Sequence, residues 1–202
     1  MKQCYALFAK ENKGMDLTAV VPDNIDITKE IYKMVSDDNT LLYNMELKGV
    51  KSTKKGLVYS NDISLFNKTW LDMLINVLSV PLFSNKIKDF FENEMIDNNY
   101  LKWIKVNING YEELKTYYIP EFKNRLDVLN MEKCTINKTD NSVIVPCFSY
   151  KKIQNYILFH KSQKEEYLWR VPSTVYISDE TRKKIMKNKF TGIEYEKIRT
   201  SE

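Results

Sequence analysis

Glycine is scarce in this chain. Five of its 202 residues are Gly, against an average usage of about 7%. No Gly-rich phosphate-binding motif is present, which argues against a nucleotide site of that kind. Histidine is scarcer still, with His160 alone. A multi-His metal site is excluded, and a Ser-His-Asp or Cys-His catalyst has to use that one residue. Cys4, Cys134 and Cys147 are odd in number and lack CxxC spacing, so neither a disulfide framework nor a zinc knuckle is indicated. The start, Met1 to Tyr5, lacks the apolar core and small-residue cleavage site of a signal peptide. No apolar run approaches the ~18 residues of a membrane span. The longest apolar-rich stretch, Trp70 to Phe83, is interrupted by Asp72, Asn76 and Ser79. A cytoplasmic, reduced protein with no membrane partner is expected.

What is present is an ordinary globular balance. Apolar residues make up 43% and aromatic residues 12%, enough for one well-buried core or two small ones sharing an interface. The net charge of +4 is unevenly spread. Residues 1–40 hold five Lys against seven Asp and Glu, giving −2, whereas residues 151–202 hold twelve Lys and Arg against seven acids, giving +5. The basic end suits an acidic partner through long-range steering, or is a solvated face.

Strand patterns fall at Tyr5–Ala9, Leu41–Leu47, Gly56–Tyr59, Val80–Phe83, Leu101–Ile108, Lys115–Ile119, Asp127–Ile136, Ser142–Phe148, Ile153–Phe159, Glu166–Val171, Thr174–Ile177 and Gly192–Ile198. Helical spacing marks three segments. A short one runs from Thr28, a possible N-cap, to Val35. A second follows Ser84, with Ile87, Phe90, Phe91 and Met95 on one face. The third is Asp179–Asn188. Trp70–Leu78 reads either way, with Pro81 barring extension. Asn109-Gly110 is a turn signal. Lys51, Lys54 and Lys55 fall in a turn or on an exposed edge, where charge discourages strand addition. The expected fold class is α+β, a mainly antiparallel sheet with few helices packed on it. Strand–Ser-capped helix–strand units are expected at 80–108 and 171–198. The expected division is a β-rich subdomain over 1–75 and an α+β domain over 76–202.

The run Tyr167-Leu168-Trp169-Arg170-Val171, then Thr174 to Glu180, closes with Phe190-Thr191-Gly192-Ile193-Glu194-Tyr195. It resembles the C-terminal signature of immunity protein family 11 of bacterial polymorphic toxin systems. Upstream, Val80-Pro81-Leu82-Phe83-Ser84, Tyr117-Tyr118-Ile119 and Leu126-Asp127-Val128-Leu129-Asn130 are similar to further pieces of that family, in the same order over residues 80–198. The pattern departs at Asn130, where Asp is favoured, and at Cys134, where Ser is usual. The resemblance implies an immunity protein that binds and neutralises a cognate protein toxin by steric occlusion, without catalysis or cofactor. Its motif positions here are Ser84, Asp127, Trp169, Arg170, Ser178 and Gly192, read as structural.

Other readings attach to the same residues. Ser84 and Ser178 lie outside any GxSxG setting and read as helix caps rather than nucleophiles. Glu112-Glu113 and Glu165-Glu166 are adjacent pairs, which on strands point to opposite faces and make no acid–base pair. An enzyme centred on His160 or Cys147 has no supporting partner spacing. A nucleic-acid-associated regulator using the basic helix 179–189 is the alternative function, with Lys183, Lys184 and Lys187 as its phosphate-binding face. No reader motif accompanies that helix.

Overall fold

The computed structural model describes residues 3–11, 15–36, 41, 43–64, 66, 70–96, 99–110, 113–161 and 169–202, with backbone alone at 31, 32 and 34–36. The order begins β1 (Cys4–Ala9), β2 (Met15–Val20), α1 (Ile27–Ser36), β3 (Met45–Thr53), β4 (Gly56–Ser60) and β5 (Ile75–Asn76). It continues with β6 (Phe83–Ser84), α2 (Asn85–Glu94), β7 (Leu101–Asn109), β8 (Leu114–Phe122), β9 (Thr135–Ile136) and β10 (Val143–Val145). It ends with β11 (Phe148–Ser149), α3 (Tyr150–Ile153), β12 (Val175–Ser178), α4 (Asp179–Lys187), β13 (Ile193–Ile198) and β14 (Thr200–Ser201). The fold is α+β and mainly sheet.

The larger sheet runs β5-β2-β3-β7-β8-β6, with β4 also on β3. Its β7–β8 hairpin is antiparallel from Leu101↔Phe122 to Asn109↔Leu114. Alternation along β7 sends Ile104, Val106 and Ile108 into one buried core and Leu101 and Trp103 toward the other. Gly110 closes this hairpin by donating its N–H to Glu113 O at 2.8 Å. A methyl group there would sit 2.5 Å from the Trp70 ring, so the small residue makes room for an indole. The second sheet is β12-β1-β13. There β1 is antiparallel to both neighbours, Cys4 facing Ser178 on one side and Ile198 on the other.

Several elements differ from the sequence expectation. The strand at 41–47 begins at Met45 and runs on through Gly49 to Thr53. Helix α1 starts at Ile27, and the Asp26 carboxylate rather than Thr28 accepts its first N–H groups. Trp70–Leu78 is not a helix. Asn76 holds a turn there, its amide donating to Val80 O at 2.7 Å, with Ser79 at φ +53°. Of Val80–Phe83 only Phe83 is in strand. Asp127–Ile136 is mostly irregular, with a 3-10 turn at Met131–Lys133. Ile153–Phe159 is the end of α3 and a loop, because Phe159 spends its backbone N–H and C=O on Tyr176. Trp169–Val171 is not strand either, and the earlier part of the Glu166–Val171 expectation lies outside the described residues.

Candidate functional site

Residues 71–84 form a seam between the two cores. Met73 and Phe83 belong to one, Leu74, Leu78, Val80 and Leu82 to the other. Asp72 fastens this seam to the end of the chain. Its Oδ2 accepts from the Thr191 N–H at 2.8 Å and the Thr191 hydroxyl at 2.9 Å, and its own N–H donates to Thr191 Oγ1 at 3.1 Å. Its Oδ1 accepts from the Ser84 hydroxyl at 3.0 Å. Ser84 also caps α2 by accepting from the Ile87 N–H. One carboxylate therefore joins both strand–Ser–helix–strand units. Gly192 follows at φ +76°, and a Cβ there would lie 2.4 Å from Met73 O. Its C=O accepts from the Lys10 N–H at 3.0 Å.

A cleft of about 700 Å3 opens beside this junction. Leu7, Met73 and Pro81 give it apolar walls, while Glu11, Glu194 and Glu196 bring carboxylates to its lining. Chemically it suits a cationic or amide-bearing side chain better than an anion. A second hollow of about 440 Å3 touches Thr191 and Gly192 beside Lys10 and Phe66.

At α4, Ser178 accepts from the Thr181 N–H at 3.1 Å, so both caps expected from the sequence form. Thr181 and Ile185 face inward. The exposed face mixes signs. Lys183 bonds Asp179 at 2.8 Å, Lys184 pairs with Glu94 of α2, and Lys187 is exposed. The Lys183 hydrogen bond holds the Asp179 carboxyl below its usual range. Arg182 lies 4.5 Å over the Tyr5 ring and 5.8 Å from that of Tyr195.

His160 is fully buried, with Phe122 4.4 Å away and Trp169 stacked at 6.1 Å. Its ring nitrogens face the carbonyls of Lys161 and Asn124 at 3.2 and 3.4 Å. Burial pushes its pKa below the usual value, outweighing those carbonyls. Cys147 is buried and donates its N–H to Cys134 Sγ at 3.3 Å. Burial raises the Cys4 thiol to about 11, so it is protonated and unreactive at neutral pH. Among the described residues no group of three His, Cys, Asp or Glu side chains could hold a metal ion. No helix among them is long and apolar enough to cross a membrane.

The sequence profile described as Immunity protein family (Imm11) matches residues 16–200. The chain belongs to the Imm11 immunity protein family. No curated protein matches it. Membership points to a role in toxin immunity. In this Imm11 protein the motif positions do not form one cluster. Ser84 and Gly192 meet at the Asp72 junction, and Ser178 caps α4. Trp169 stacks on His160, and Arg170 pairs with Glu121, which is 1% exposed. Asp127 is exposed and bonds Lys152 at 2.7 Å. Asn130 donates its amide to Ser201 Oγ at 3.0 Å. The residue that sequence reasoning missed is Asp72. It lies in the stretch of ambiguous period, and its partner Thr191 is 119 positions away.

Proposed function

We propose that this Imm11 protein binds a cognate bacterial toxin domain in the cytoplasm of the cell that makes it. It neutralises that domain by covering the active or substrate-binding surface, and makes or breaks no bond itself. The observation that carries the reading is the family match across residues 16–200. Occlusion works best from a surface already held in its binding shape, because little ordering is then left to do on association. The two buried cores joined through Asp72 and Thr191 supply such a frame. Uneven charge speeds encounter with a partner of opposite sign.

The experiment is co-expression with the C-terminal domain of the neighbouring upstream gene's product, where that product is a toxin, scoring colony formation. Survival restored in proportion to the amount of soluble protein is the expected result. Death of cells that hold abundant soluble protein refutes immunity against that toxin.

A further inference from the structure

The β3–β4 hairpin is the only place among the described residues where three consecutive large apolar side chains are exposed. Leu57 is 60%, Val58 54% and Tyr59 45% exposed. Alternation puts Leu57 and Tyr59 on one face and Val58 on the other, so the hairpin stands clear of both cores on both sides. The edge of β3 is taken by β7 at Met45 and Glu46, then by β4 from Gly49 to Thr53. Among the described residues β4 pairs with β3 alone. Its outer edge thus offers unpaired backbone N–H and C=O groups beside apolar side chains. That is a template for strand addition, in which main-chain bonds give affinity and alternate side chains set register.

Charge selects the occupant. Lys51 lies opposite Val58, and Lys54 and Lys55 form the turn. Among the described residues none of the three is held in an ion pair. The lysines therefore sit beside the edge and not on it. They favour carboxylates on an added strand. We propose, resting on the toxin-neutralising reading above, that the toxin docks here. It adds an extended segment bearing Asp or Glu as a strand beside Gly56–Ser60.

The test is backbone hydrogen exchange on the full-length protein, free and mixed with the purified toxin domain used in the co-expression experiment, alongside binding of charge-reversed variants. Amides of residues 56–60 slow about 10-fold or more in the complex, while those of Val143–Val145 on β10 do not change. The triple variant Lys51→Glu, Lys54→Glu, Lys55→Glu keeps the wild-type melting profile. It loses at least about 10-fold in affinity, mostly through slower association, and sheds the salt dependence of binding. Ile144→Lys, on another exposed strand, binds as wild type. A complex that leaves residues 56–60 unprotected overturns the docking site and leaves the immunity reading standing. Protection of 56–60 that rises with protein concentration without toxin gives the edge to a second copy and also overturns it. Wild-type protein that neither binds the toxin nor rescues cells removes both.

Discussion

At the scale of single residues, one missing methyl group lets the chain entering β13 lie against the seam. Gly192 combines φ +76° with Met73 O at 2.4 Å and Leu71 Cβ at 2.8 Å from where a Cβ would stand. Both neighbours are held within the core junction, so neither can give way cheaply. Gly192→Ala is expected to cost about 3 kcal/mol or more, read from urea unfolding midpoints. The Thr191-Gly192-Ile193 motif was legible in the sequence. The close approach was not, since Leu71 and Met73 are remote in the chain. His160 makes a pH prediction. Its folded pKa is depressed from 6.5 by burial, so the unfolded chain takes up a proton first as pH falls. Its contribution to stability is complete above about 6.5 and is lost below it. Urea midpoints should decline as pH falls below about 6.5, and His160→Gln should flatten that part of the profile.

At the scale of elements, the two Ser caps are not equivalent. Ser178→Ala removes a bond to the Thr181 N–H and the 3.0 Å contact with the Thr181 hydroxyl, and should cost about 1 kcal/mol. Ser84→Ala removes a helix bond and strips the Asp72 carboxylate of a donor at 3.0 Å; bonds to a charged acceptor are the stronger kind, so its cost should exceed that of Ser178→Ala, as thermal unfolding of the pair would show. Elements whose signals lie within themselves were legible. They include α2 and α4 behind their serines, β7 through its alternation, and β13 after its glycine. Elements held by distant partners were not. The segment after Asp127 looked like a strand, yet Asn130 donates its N–H to Cys147 O and Leu129 O accepts from Lys152 Nζ. Those long-range bonds impose a turn on residues with strand-like composition. The lysines near β4 were legible as charges. Only the structure shows that they flank a bare apolar edge rather than occupy it.

At the scale of the whole molecule, the α+β class followed from many strand patterns set among few helices. Strand order did not follow. No local pattern announces that β1 lies between β12 and β13, or that the short β11 runs parallel to β14. Such pairings are chosen by which apolar faces must be buried together, and that is a property of the finished chain. The placement of β1 has a temporal consequence. It is synthesised well before both its neighbours, which come from residues 175–198. At about 5–20 residues per second, it waits on the order of 10–40 s on the ribosome before its sheet can close. If the protein neutralises a toxin as proposed, chains still being made give the cell no cover during that interval, and resistance to a sudden dose depends on the stock of completed molecules already in hand.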